Sequence, residues 1–200
     1  MGLNVNAVAS RRGIPARFLR AVVTIIVCVA GLGYVLYNHW FQPGWNVLTL
    51  VGLAFQIAVV NPFCDYWAHR LMHENPWSFF GKYHNEHHRE IKLPAGDPLA
   101  ETLELWCYPA MLAAYACPAT RFATLGLLQY AFFHQLSHDL PELVPGAARH
   151  HGIHHMSPYK NHGVSAAWPD RVFGTYLPKP PAHPTRPRVT FMVQKGEQAE

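Results

Sequence analysis

The chain has 200 residues, half of them hydrophobic and only 14% charged, with a formal net charge of +4. That length suits one domain with a real core, but the balance is poor for a domain surrounded by water. So small a basic excess requires no nucleic acid, and no aromatic-basic array for one is present; a basic face against anionic lipid accounts for it.

In chain order, residues 1–20 carry Arg11, Arg12, Arg17 and Arg20. Residues 21–37, "AVVTIIVCVAGLGYVLY", then run without a charge over about the length that crosses a bilayer. A second apolar block, residues 47–64, follows after a connection containing Pro43 and Gly44, so the two are expected to form a membrane hairpin. A third block covers residues 102–117 and a fourth residues 122–133, with "PATR" between them marking a turn. Both are short for independent spans; they are expected to form a second, shallower hairpin, with core helices of a soluble domain as the alternative.

The arginines before the first span place the N-terminus in the cytosol, and two hairpins return the polar segments to that side. A cleaved signal peptide is the rival for the first block, but no small-x-small cleavage site follows it. Cys28, Cys64, Cys107 and Cys117 form no CxxC pair and read as buried apolar fillers. Residues 178–200 begin "PKPPAHPTRPRV", which cannot hold a regular helix and reads as an extended or disordered tail; His183 there reads as a solvated residue.

The histidines carry the chemistry. "HRLMH" supplies His69 and His73, and "HNEHH" supplies His84, His87 and His88; the second half repeats the order with His134 and His138 of "HQLSH", then His151, His154 and His155 of "HGIHH". Residues three or four apart share a helix face, so each group presents several imidazoles together, and a pair-triplet order used twice is not something helix stability demands. Imidazole suits zinc, copper, iron or nickel, and the lack of nearby thiolates argues against a cysteine-rich zinc site or an iron-sulfur cluster. Ten ligands exceed what one or two structural zincs take, but fit two adjacent metals with five nitrogens each and a position left open for chemistry. The pairs fall at the cytosolic ends of the second and fourth apolar blocks, which puts the metals at the membrane surface.

The strings "YWAHRLMH", "HNEHH", "HQLSH", "HHGIHH" and "NHGVSAAWPDRVFGTY" resemble the fatty acid hydroxylase superfamily, also called the sterol desaturase family, over about residues 66–176. The resemblance implies an all-α integral membrane bundle of about four transmembrane or membrane-embedded helices with a cytosolic histidine-rich helical cap. It also implies two irons held by the ten histidines above, with O2 as co-substrate. The domain organisation expected is a cytosolic segment 1–20, the membrane domain 21–177 and the tail 178–200.

The reaction implied is hydroxylation of an unactivated C–H bond of a lipid or lipid-like hydrophobic substrate. Desaturation at the same site is one alternative, and a non-catalytic metal-binding membrane protein is another. Because 200 residues leave no room for a fused redox domain, electrons are expected from an external protein such as a cytochrome or ferredoxin.

His150 is spaced as a structural neighbour of the ligands, and His162 reads more as a surface residue than as a donor to them. Asp65, Arg70 and Asp139 stand beside ligands, where they would either orient imidazoles or form ordinary surface ion pairs. Gly174 and Thr175 read as a turn and cap. Pro169 between Trp168 and Asp170 departs from the family pattern and puts the local turn in doubt.

Overall fold

The computed structural model describes residues 14–40, 46–90 and 121–181, which contain helices and no strand. The segment 1–13, the third apolar block at 102–117 with Cys107 and Cys117, most of the "PATR" turn, and the tail from residue 182 with His183 lie outside the described residues.

The first apolar block lies within α1 (Ile14–Trp40), whose apolar part is Phe18–Tyr34. The second continues into a single helix made of α2 (Val47–Phe55), a wide π turn (Gln56–Val60) that interrupts the α-helical bonding, and α3 (Asn61–Glu74). Asn46 caps its start, its side-chain oxygen accepting from the Thr49 N–H at 3.1 Å. Among the described residues this 28-residue helix is the one long and apolar enough to cross a membrane. At 1.5 Å per residue about 20 residues fill a hydrocarbon core, so a span beginning at Val47 is complete before His69. Val47, Leu48, Val51 and Phe55 are exposed on it, as expected of a helix facing lipid.

Pro62 explains the interruption. It lacks the N–H that would bond the Ala58 carbonyl, and the π turn sends the Asn61 N–H back to Gln56, which releases the Ile57 carbonyl as well. Both freed carbonyls find side-chain donors: Gln129 Nε2 donates to Ile57 O at 3.0 Å and Trp168 Nε1 to Ala58 O at 3.2 Å. Inside a bilayer such replacement is obligatory.

The remaining elements are α4 (Phe79–Glu90), α5 (Arg121–Asp139), a 3₁₀ turn (Pro141–Leu143), α6 (Pro145–Met156) and the short α7 (Trp168–Val172). The fourth apolar block thus belongs to a 19-residue helix that runs on through its histidine pair. At the start of α4, Ser78 Oγ accepts from the Gly81 N–H at 3.0 Å. A side chain at Gly81 would meet the Asn75 carbonyl at 2.1 Å, so only glycine allows this tight entry.

Long-range bonds fix the helix directions. Arg20 Nε donates to Asp139 at 3.1 Å and Cys28 Sγ to the Leu128 carbonyl at 3.6 Å, so α1 runs antiparallel to α5. Asn61 Nδ2 donates to Gln129 Oε1 at 2.8 Å, and the His69 and His134 rings both contact Tyr130, so the 47–74 helix runs parallel to α5. Both histidine pairs therefore emerge at one end of the bundle, together with Arg20. The cysteine expectation needs correction: Cys64 is exposed and lines a cavity, whereas Cys28 is half-buried.

Candidate metal centre

His69 and His73 occupy the last turns of α3, and His134 and His138 the last turns of α5; α4 carries His84, His87 and His88, and α6 carries His151, His154 and His155. All ten imidazoles converge, in two groups. His69, His73, His84, His88 and His154 form the first, with their ligand nitrogens within 4.8 Å of one another. His87, His134, His138 and His151 form the second within the same limit, and His155 joins it through Nε2, 2.9 Å from His151 Nε2. The groups touch where the His88 and His155 rings lie 4.3 Å apart.

Each group therefore draws four histidines from one half of the sequence and one from the other. His87 and His154 have changed places relative to a division by halves, and the expectation that all three histidines of a triplet point the same way is corrected accordingly.

The donor chemistry of the first group fits a cation. His69 Nδ1 lies 2.6 Å from the His162 carbonyl and His154 Nδ1 lies 2.8 Å from the Lys160 carbonyl. A carbonyl only accepts, so both Nδ1 atoms carry the proton and both Nε2 atoms present a lone pair inward. Those Nε2 atoms sit 2.8 Å from His84 Nε2 and 3.1 Å from both His73 Nε2 and His88 Nε2. Imidazole nitrogens gathered this closely, two of them with the lone pair fixed inward, are a donor set that suits a metal cation.

The imidazoles are held in the neutral form that binds metal. Burial, followed by the positive charge of neighbouring imidazoles, pushes His84, His88 and His154 well below the ordinary 6.5. His87, His151 and His155 of the second group are pushed down for the same reasons. The Nε2 atoms of His87 and His134 are buried with no hydrogen-bond partner, as metal ligands without a metal would be.

The carbonyls that orient His69 and His154 belong to the segment 157–177, which is organised by Asp170 and Asn161. Asp170 is fully buried; it accepts from the His162 and Gly163 N–H groups at 2.8 Å each, from Thr175 Oγ1 at 2.7 Å and from His150 Nε2 at 2.9 Å. Burial alone would raise its carboxyl, but the bonds from His150, Thr175 and Gly163 outweigh burial and leave it below its ordinary value. Asn161, in the left-handed region at φ 55°, exchanges bonds with the Leu177 backbone. A side chain at Gly163 would meet the Ala166 carbonyl at 2.3 Å. Pro169 sits in the first turn of α7, a position that spares its missing N–H, so the departure from the family pattern leaves the turn intact.

His150 takes the structural place expected of it. His162 does not lie at the surface: it is 2% exposed, its ring packs against Tyr66, His69, His73 and His154, and burial holds its imidazole down at about 4. Its backbone oxygen, not its ring, orients a ligand. Arg70 bonds Glu74 at 2.7 Å and Tyr66 at 3.1 Å, an ordinary helix-surface arrangement. Asp139 holds Arg20, and Asp65 holds the backbone of residues 164–165.

Sequence reasoning missed the two orienting carbonyls, which leave no trace in side-chain identity. It also missed Tyr130, whose ring stacks on His134 at 5.1 Å one turn before it. The i, i+4 spacing of Tyr130 and His134 was the available signal. Between α5 and the 47–74 helix lies a cavity of about 660 Å³, walled by groups such as Phe55, Val60 and Leu127, which reaches His69 and Tyr130 at the metal-centre end.

Residues 53–175 match the fatty acid hydroxylase family. Alkylglycerol monooxygenase of Danio rerio is 30% identical over 154 residues, which cover 70% of this chain and 33% of that protein. Methylsterol monooxygenase 1 of Rattus norvegicus is 31% identical over 134 residues, covering 59% and 44% respectively. The chain thus spans between a third and under half of the length of these relatives. No solved structure matches it.

Proposed function

Because the chain belongs to the fatty acid hydroxylase family, we propose that it is a membrane-bound oxygenase holding two irons, one on His69, His73, His84, His88 and His154 and the other on His87, His134, His138, His151 and His155. The observation that carries this reading is a pair of adjacent five-imidazole groups at the end of an apolar cavity beside an exposed apolar helix of membrane-spanning length. The named activities of the relatives, on an alkylglycerol and a methylsterol, support a lipid substrate.

The overall change is R–H plus O2, two electrons and two protons giving R–OH and water. The irons, when bound, supply the activation of dioxygen. The chain's residues do the rest. The His162 and Lys160 carbonyls fix the tautomers of two ligands, as such outer contacts do in metal sites. The apolar cavity holds the substrate chain, excludes water and presents one C–H bond beside His69. The electrons come from a separate redox protein, for which the polar end of the bundle is the available face.

Incubation of the full chain in lipid with an alkylglycerol or a methylsterol, a reductant and labelled dioxygen tests the reaction. One labelled oxygen per product molecule is expected. A product two hydrogens lighter and unlabelled would assign desaturation instead, and turnover independent of oxygen would sink the oxygenase reading.

The orientation is proposed from the N-terminal arginines, with the metal centre on the cytosolic face. A single cysteine at Lys160 is expected to resist an impermeant thiol reagent in intact cells while one at Gln42 reacts. The opposite pattern would invert the topology.

A further inference from the structure

Helix α6 gives His151, His154 and His155 to the metal centre, and lines with Arg149, His150 and Ile153 a second cavity that the oxygenase reading does not use. This cavity has about 470 Å³ and lies between α5, α6 and the segment 164–178. Its walls are of two kinds. Phe133, Ile153, Val164, Ala166 and Ala167 are apolar, whereas Arg149 and Arg171 line it from exposed positions. No Asp or Glu occurs among the described residues lining it.

The 47–74 helix gives the depth of each wall. Trp168 Nε1 reaches the Ala58 carbonyl at 3.2 Å, and the Val164 and Ser165 N–H groups reach Asp65 at 3.1 and 2.9 Å. Residues 164–168 therefore run beside about 10 Å of that helix. A span beginning at Val47 is complete about 20 residues later, just past Asp65, so the apolar wall lies immediately below the membrane surface. Thr175 Oγ1 contacts the Tyr66 hydroxyl at 3.2 Å, which sets the neighbouring Tyr176 at that surface, and the Arg171 guanidinium lies 4.8 Å from the Tyr176 ring centre.

Both cations are held in place without being neutralised. Arg149 Nη2 donates to the Pro178 carbonyl at 3.2 Å, and Arg171 rests on Tyr176, whose ring stacks on His150 at 5.8 Å. An apolar wall within the hydrocarbon and two fixed guanidinium groups at its edge match an amphiphile with a negative head.

We propose that this cavity binds one anionic phospholipid of the surrounding leaflet, with its phosphate on Arg149 and Arg171 and an acyl chain along residues 164–167. The inference rests on the membrane placement proposed above and not on the reaction. Guanidinium groups suit phosphate because each offers a fork of N–H donors, and the apolar wall selects a lipid over a soluble phosphate. Occupancy also has a consequence for the metal centre. The cavity is walled by the segment that carries Asp170, which His150 bonds at 2.9 Å and which holds the residues whose carbonyls orient His69. A bound lipid braces that segment.

The test uses the full metal-loaded chain in a neutral detergent with equimolar phosphatidylglycerol and phosphatidylcholine. Native mass spectrometry is expected to find one lipid retained per chain, with phosphatidylglycerol favoured by about tenfold. Arg149→Gln with Arg171→Gln should reduce that preference to about twofold or less, while Lys82→Gln, at an exposed position on α4, should leave it unchanged. Phosphatidylglycerol at about a hundred times its Kd should raise the thermal midpoint by roughly 5–10 °C, and the double variant should lose the shift.

Equal retention of the two lipids overturns the proposal, and so does an undiminished preference in a folded double variant. A loss with Lys82→Gln as large as with the double variant would mean a diffuse basic surface and no discrete site. Inorganic phosphate giving the same thermal shift at the same concentration would assign a soluble anion instead. Retention of no lipid, together with arginine-dependent binding of an acidic redox protein, would give the cavity to that partner. If the double variant does not fold, the wild-type comparison and the two single variants decide.

Discussion

Replacing His154 with alanine is expected to lower the metal content of the full chain from about two ions to about one and to reduce turnover by more than about a hundredfold, because a five-ligand site loses an inward-facing donor. Double substitutions identify which ion is lost. His154 shares its group with His69, so His154→Ala with His69→Ala should still retain one metal. His154→Ala with His134→Ala should retain none, because His134 belongs to the other group. A division of the ligands by sequence halves predicts the reverse for both doubles. Elemental analysis of protein from iron-supplemented cells, beside helical content by circular dichroism, separates the two assignments; equal loss in both doubles would reject the exchanged arrangement.

Asp170→Ala is expected to be the most destabilising change outside the ligands, by about 3–5 kcal/mol, the usual cost of removing one partner from a buried charged network. It strands the N–H groups of His162 and Gly163, the Thr175 hydroxyl and the His150 ring. It also frees the His162 carbonyl to move, so His69 loses the acceptor that fixes its tautomer. Metal content should fall with stability although no ligand has been touched. Asp170→Asn, which keeps the shape and one acceptor, should cost less. Denaturation in micelles showing a loss below about 1 kcal/mol for the alanine variant would mean that the segment is held by other contacts.

An apolar stretch of membrane-spanning length and two of the clustered histidines meet in the 47–74 helix. Its first part is apolar and exposed, its middle is interrupted at Pro62, and its end carries two ligands. The interruption is useful rather than merely tolerated. Its freed carbonyls bind Gln129 of α5 and Trp168 of α7, which ties the span both to the second ligand-bearing helix and to the element that carries Asp170. Gly126 lets α5 come close here, since a side chain there would reach Asn61 Oδ1 at 3.3 Å.

The sequence by itself determined the helical class, the position of the two long apolar helices among the described residues, and the identity of the ten converging histidines. These follow from local rules: uncharged runs of spanning length, and imidazoles repeated at three- and four-residue intervals. It also placed the pairs at the ends of apolar helices, because each pair follows its apolar run directly.

Only the tertiary structure decided which histidines share a group. In each triplet the outer two are four residues apart and lie nearly in line, so His84 with His88, and His151 with His155, face one group. The third residue, His87 or His154, precedes the last by one position and is turned about 100° from it, toward the opposite group. Whether anything stands on that side depends on α4 packing beside α6, which no local rule contains. The same holds for the backbone carbonyls of Lys160 and His162: their roles come from which chain segment lies opposite, and that is settled by packing.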